Sequence, residues 1–229
     1  MYDIVFISYY EPNAEENFIK LYNRFNSVGV LGDRVKRIEN VKGIHNAHVQ
    51  ASMIANTPYF FVVDGDAVIV DEFDFKYTTK EKDMVHVYRC MNPINDLVYG
   101  YGGVKLFPTN LTKNMDKNTA DMTTSISSKF KVMNEISNIT AFNTDPFNTW
   151  KSAFRECAKL SSKVIDRQKT GETDERLKTW TTVGHDRLYG KYALAGATAG
   201  MEFGVSSGAN LGLINDFDWL KEQFDAQDI

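Results

Sequence analysis

Cysteine is scarce in this chain: Cys90 and Cys157 are the two present, far apart and at no spacing used for metal ligation or redox chemistry. That argues against a disulfide framework and reads as buried or idle thiols in a reducing compartment. No apolar run comes near the ~20 residues that a membrane-spanning helix requires. The first eight residues carry Asp3 where a secretory signal would carry basic residues, so the expected location is the cytoplasm. Positive charge is not in excess either: 26 Lys and Arg face 30 Asp and Glu, a formal charge of -4. No global field draws the protein to nucleic acid or anionic lipid, and any polyanion contact must be local. Asn110-Leu111-Thr112 and Asn138-Ile139-Thr140 match the glycosylation acceptor pattern, which matters only in a secreted chain.

What the chain does have is apolar content, 43% over 229 residues, enough to bury the core of one α/β domain. Ile4-Val5-Phe6-Ile7 is a short apolar run ending at Ser8, the pattern of a buried strand whose carboxyl end opens toward a ligand. Asn13 is placed to cap a helix, with Glu16 three residues on as in a capping box, and Ala14, Phe18, Leu21, Tyr22 and Phe25 follow at helical spacing. A strand is predicted over 35–38 and a helix over 43–56, stopped by Thr57-Pro58. Tyr59-Phe60-Phe61-Val62-Val63 is the strongest strand signal and stops at Asp64. This alternation predicts βαβ units and an α/β fold, with a mostly parallel central sheet flanked by helices and ligands beyond the strand carboxyl ends. Further strands are predicted over 84–88 and 104–107, and helices over 147–164 and 217–224. Residues 109–128, polar and poor in apolar side chains, read as a long surface excursion.

Asp64-Gly65-Asp66 directly follows the strongest strand. In extended backbone, residues two apart project to one side, so both carboxylates can face one ion while Gly65 lets the backbone approach a phosphate. Carboxylates favour Mg2+ or Mn2+, which keep positions open for water and diphosphate oxygens. Such an ion is a Lewis acid able to offset charge on a nucleoside-diphosphate leaving group. A plain turn is the competing reading, since both residue types favour turns. Asp64 to Val68 also fits the D-x-D-x-[TV] nucleophile pattern of haloacid-dehalogenase-type phosphatases, where the motif usually ends the first strand. Two strand-helix units precede it here.

Lys151, Arg155, Lys159, Lys163 and Arg167 recur every four residues and would form one basic stripe on a helix. A solvated helix face explains such a stripe, and so does a surface that sits on DNA phosphates.

Residues 6–13, then Gly43 to His48, then Tyr59 to Asp66, together resemble the nucleotide-binding half of GT-A glycosyltransferases. The resemblance implies a single GT-A domain over 1–229, with a nucleotide-sugar-binding half (1–107) and an acceptor-binding half (108–229). It places Ser8, Tyr9 and Arg37 against the nucleoside and His48 where many members have a phosphate-binding arginine. His48 also lies on the apolar face of its helix, where a hydrogen-bonded core histidine is the alternative. Tyr99 to Lys105 resembles the glycine-bearing segment that shapes the sugar pocket: Gly102 and Gly103 permit close approach, Tyr101 offers a stacking face, and Lys105 can neutralise phosphate. A flexible hairpin is the other reading. By analogy with the family, His185 completes the metal site with Asp64 and Asp66, unless it is an ordinary surface histidine.

An inverting transfer needs a carboxylate to accept the acceptor's proton, and Asp145 and Asp186 are the candidates, although Asp145 also suits a helix cap ahead of Pro146. A retaining transfer needs no such base. The whole chain, including residues 145–150 and the helix after them, resembles the small DNA glycosyltransferases of tailed phages, most closely those that arabinosylate 5-hydroxymethylcytosine. That implies a UDP-sugar donor, a pentose, a DNA acceptor whose base is flipped out, and the cytoplasm of an infected host cell. The alternatives are a glycosyltransferase for a carbohydrate or protein, the phosphatase, and a non-catalytic nucleotide-binding module.

Overall fold

A computed structural model describes residues 1–26, 33–100, 102–118, 122–163, 170–206 and 210–229. The chain divides into two compact units, residues 1–91 with 98–141, and residues 92–97 with 142–229.

The first unit is built on a sheet of eight strands: β1 (Asp3–Ser8), β2 (Val35–Glu39), β3 (Tyr59–Asp64), β4 (Ala67–Ile69), β5 (Val85–Met91), β6 (Val98–Tyr99), β7 (Val104–Pro108) and β8 (Phe130–Thr140). Their spatial order is β2-β1-β3-β7-β5-β8-β4, with β6 paired to β5. Two helices, α1 (Ala14–Phe25) and α2 (Ile44–Ile54), supply the crossovers between β1, β2 and β3, and these three strands pair in parallel. Alternation along the strands fills both faces of the sheet. Ile4, Phe6, Phe61 and Val63 pack with Leu21 of α1, whereas Val5, Phe60 and Val62 pack with Ala51 of α2. Each such Val, Ile, Leu or Phe contributes roughly 1.5–3 kcal/mol of burial.

The α/β class and the flanking helices agree with the expectation, but the sheet is mixed and not mostly parallel. Antiparallel pairs join β3 to β7, β5 to β7, β5 to β6 and β4 to β8, while β5 and β8 are parallel. The reason lies in the connections. Parallel neighbours need a crossover of a dozen or more residues, usually helical, and no helix falls between β3 and β7.

Two further expectations are corrected. Asn13 sits at the N-cap of α1 but makes no capping bond: its Nδ2 donates to Ala141 O at 3.0 Å, and Glu16 pairs with Lys20 instead. The described residues of 109–128 are not a surface excursion. They carry α3 (Thr109–Lys113) and α4 (Met122–Ile126), and Met115, Met122 and Ile126 pack into the α2-side core. Asn138-Ile139-Thr140 is no accessible acceptor site, because Asn138 is fully buried in β8.

The second unit is helical: α5 (Pro146–Ser161), α6 (Thr170–Thr182), α7 (Gly190–Val205), a 3-10 segment (Leu211–Asn215) and α8 (Phe217–Asp225). Trp150 of α5 is fully buried, stacks on Phe154 with ring centroids 4.9 Å apart, and donates from Nε1 to Gln227 Oε1 at 2.9 Å. Residues 108–141, expected in the acceptor half, belong to the first unit through α3, α4 and β8.

Candidate active site

The pairing registers bring the carboxyl ends of β1, β2 and β3 to one edge of the sheet. The start of β7 and the β4–β8 junction lie there too, since Ile7 pairs with Asp64, Val63 with Val104 and Ala67 with Thr140. At this edge Asp64 closes β3 and Gly65-Asp66 form a turn into β4. The extended-strand argument for Asp66 therefore does not carry over, because the backbone turns before it.

The turn is held from several sides. Asp64 N donates to Gly103 O at 2.9 Å, and Gly103 N returns a bond to Asp64 Oδ2 at 2.9 Å. Lys105 Nζ stands 3.7 Å from the same oxygen. Asn17 Nδ2 donates to Gly65 O at 3.0 Å, and Ala141 N to Asp66 O at 2.7 Å. A Cβ on Gly65 would meet Glu11 Oε2 at 2.6 Å and Ser8 Cβ at 3.0 Å, so a larger residue there would displace the Glu11 carboxylate from its place beside Tyr9 N. Asp64 Oδ2 is thus committed to the protein, and the side chain keeps about a third of its surface exposed, at 35%. Among the described residues no group of three or more His, Cys, Asp and Glu is arranged to hold a metal ion. Asp64 and Asp66 carry carboxylates, the hard oxygen donors that divalent ions favour.

Ser8 is buried at the end of β1, and Tyr9 N donates to Glu11 Oε2 at 2.6 Å. Arg37, expected against the nucleoside, is engaged locally. Its NH1 pairs with Glu15 at 2.5 Å, Nε lies 3.3 Å from Glu39, NH2 donates to Ser8 Oγ at 3.4 Å, and the guanidinium sits 4.9 Å from the Phe18 ring centroid. These contacts brace the ends of β1 and β2.

His48 is a core residue and not a phosphate contact, which corrects that expectation. It is 5% exposed, its Nδ1 is 2.8 Å from Ile44 O, and its ring packs 5.7 Å from that of Phe107. Burial pushes its pKa down to about 4, so it is neutral in the folded protein at pH 7. The unfolded chain takes up this proton first, near pH 6.5. The associated stability is complete above that pH and is lost as pH falls toward about 4, roughly 3 kcal/mol in all. His48→Gln is expected to lose less stability than the wild type between pH 7 and pH 4.5, read from urea midpoints. His86, also depressed by burial, is present in both proteins and cancels in the comparison.

The basic stripe is dismantled by its own packing. Lys151 Nζ donates to Asn148 Oδ1 at 2.7 Å and lies 4.4 Å from the Phe217 ring centroid. Arg155 donates to Ile214 O and Asn215 Oδ1, and Lys159 pairs with Glu156 at 3.0 Å. Helix α5 ends at Ser161, so Lys163, with φ of 55°, is past its end. Lys151, Arg155 and Lys159 are thus engaged within the second unit, and Lys163 is exposed beyond the helix. Arg167 and Tyr101 lie outside the described residues.

Asp145 caps α5: its Oδ1 accepts from Asn148 N at 2.8 Å and its Oδ2 from Asn148 Nδ2 at 2.6 Å. The capping alternative is therefore the one the geometry shows for Asp145. His185 and Asp186 are exposed on the turn between α6 and α7, in the second unit, whereas Asp64 and Asp66 belong to the first.

Four residues at the edge escaped the sequence reading: Glu11, Asn17, Asn138 and Thr140. Asn17 had a legible signal, being a polar residue on the apolar stripe of α1, where it is 6% exposed. Asn138 and Thr140 had none beyond the glycosylation pattern.

No protein-family model matches the sequence, and no curated protein matches it. Solved structures similar to this chain include the following three. Mannosyltransferase PcManGT from Pyrobaculum calidifontis, in complex with GDP-Man and Mn2+, has a TM-score of 0.42 at 12% identity over 99% of this chain and 88% of that one. TarS 1-349 from S. aureus gives 0.38 at 11% identity over 98% and 91%. HddC from Yersinia pseudotuberculosis gives 0.32 at 14% identity over 57% and 68%.

Proposed function

We propose that this chain is a metal-dependent glycosyltransferase that takes its sugar from a nucleoside-diphosphate donor. One observation carries the reading. Asp64 ends a central strand at the sheet edge where three parallel strands terminate, one carboxylate oxygen fixed by Gly103 N–H and the side chain still partly open. Open α/β sheets bind ligands at that edge. Asp64 and Asp66 would hold Mn2+ or Mg2+, and when bound the ion supplies Lewis acidity to the departing diphosphate. Lys105 adds a fixed positive charge beside Asp64. Ser8, Tyr9, Gly65, Gly102 and Gly103, at this edge, would be the donor's neighbours in the complex. In the transfer the acceptor oxygen bonds the anomeric carbon as the bond from that carbon to the diphosphate breaks. The nucleoside diphosphate leaves with the electron pair. The acceptor proton passes to a base or to solvent.

The finer reading is a pentose, arabinose, moved from a UDP-sugar to the hydroxymethyl group of a modified cytosine in phage DNA. What supports it is the resemblance of residues 145–150 and the following helix to the phage enzymes. The phosphatase reading is disfavoured because the D-x-D motif ends the third strand in chain order and not the first.

Thermal-shift titration with nucleotide sugars, with and without Mn2+, is the direct test. A true donor raises the melting point by mass action, about 2.7 kcal/mol of stabilisation at a hundredfold excess over Kd, and only with the ion present. No shift with any nucleotide sugar would count against the enzyme class. Transfer to unmodified carbohydrate but not to hydroxymethylated DNA would remove the DNA reading alone.

A further inference from the structure

We propose that Asn138 is a positioning residue for Asp64, acting through the Gly103 peptide. The inference rests on Asp64 being a ligand of the donor's cation, as proposed above, but its structural part stands on contacts within the first unit.

Asn138 is fully buried in β8, and its amide is locked by two hydroxyls of its own strand. Ser137 Oγ donates to its Oδ1 at 2.7 Å, and its Nδ2 donates to Thr140 Oγ1 at 3.0 Å. Gly103 lies against this amide so closely that a Cβ there would be 2.1 Å from Oδ1, 2.3 Å from Nδ2 and 2.4 Å from Cγ. Gly103 also holds φ at +84°, a conformation open to glycine and costly for other residues. Glycine has the most freedom of any residue, so on its own it would not stay in one such state. The Asn138 amide is the wall that holds it there. The held peptide then grips Asp64 at two points, its carbonyl on Asp64 N and its N–H on Asp64 Oδ2. That restrains the carboxylate through Oδ2 and leaves Oδ1 as the oxygen to be presented to a cation. The chain of contact runs Ser137 and Thr140 to Asn138, to Gly103, to Asp64.

Partners one shell removed from a metal ligand typically change metal affinity by about 10–100-fold when removed. Asn138→Ala is expected to weaken Mn2+ binding by an amount in that range, measured by electron paramagnetic resonance of free Mn2+ with no donor present. Thr140→Val frees the amide without emptying the space and should weaken Mn2+ in the same sense, with Thr140→Ser restoring it. That series remains decisive if Asn138→Ala fails to fold. Gly103→Ala alone should be severely disrupted, and less so in the Asn138→Ala background, where the overlapping side chain is gone. A second readout needs no metal: hydrogen exchange of the Gly103 amide should be slow in the wild type and faster in Thr140→Val and Asn138→Ala.

Wild-type Mn2+ affinity in both Asn138→Ala and Thr140→Val, with a still-protected Gly103 amide, overturns the proposal. If the wild type binds no Mn2+, or Asp64→Asn binds it equally well, the metal reading fails. Gly103 exchange then decides the positioning role: faster exchange in the variants upholds the clamp on Asp64, and unchanged exchange removes it.

Discussion

Asp64→Asn is expected to lower sugar transfer by about 100- to 1,000-fold, the size of loss seen when one preorganised electrostatic group is removed from a reacting centre. The substitution is chosen for what it keeps. An asparagine oxygen can still accept from Gly103 N–H, so the clamp at 2.9 Å is retained and the change isolates the charge. Mn2+ binding should weaken with the rate, and Lys105, left 3.7 Å from a neutral amide, should not compensate. Asp66→Asn should fall in the same direction, since the turn that carries it is held by backbone bonds at Gly65 and Asp66 that do not involve the side chain. Steady-state transfer, donor hydrolysis and Mn2+ titration measure all of this. Near-wild-type transfer by Asp64→Asn in the presence of a chelator would remove the metal and the role of Asp64, and leave the transfer itself standing.

The first half of the fold was legible because its signals are local. Five consecutive aromatic and β-branched residues at 59–63 can be little other than a buried strand, and the apolar stripe of α1 repeats at helical spacing. Asp64 could be found for the same reason, as an acidic residue placed where a strong strand stops. What stayed hidden depends on partners distant in sequence. No element was predicted over β8, which buries few of its residues and becomes a strand by pairing with β5 and β4. Asn138 cannot be recognised until Gly103, 35 positions earlier, is seen to rest on it. The basic stripe misled for the opposite reason. Four-residue spacing correctly put Lys151, Arg155 and Lys159 on one helix, yet spacing says nothing of what faces them, and Phe217, Ile214 and Glu156 do.

Helix α7 was missed because glycine is a poor helix former, by about 1 kcal/mol relative to alanine, and this helix contains four. Their purpose sets the second large expected effect. A Cβ on Gly196 would lie 2.3 Å from Trp150 O, one on Gly200 2.2 Å from Phe154 O, and one on Gly204 2.4 Å from Ala158 O. The contacts step by four residues on both helices, so α7 lies directly on the backbone of α5. Gly200→Ala gains helix propensity but meets a carbonyl that cannot rotate away, and the clash should win. The expected loss is roughly 2–3 kcal/mol, or about 5–10 °C in melting temperature, with Gly200→Val worse. Gly171, in the first turn of α6, is the control: nothing lies within 4 Å of its Cβ position, so Gly171→Ala should be neutral or stabilising by up to about 1 kcal/mol. The three tryptophans, Trp150, Trp180 and Trp219, all belong to the second unit, so their fluorescence in urea reports this packing directly. Equal midpoints for Gly200→Ala and the wild type would mean that the two helices can separate at little cost, and that the glycine spacing is not what holds α7 to α5.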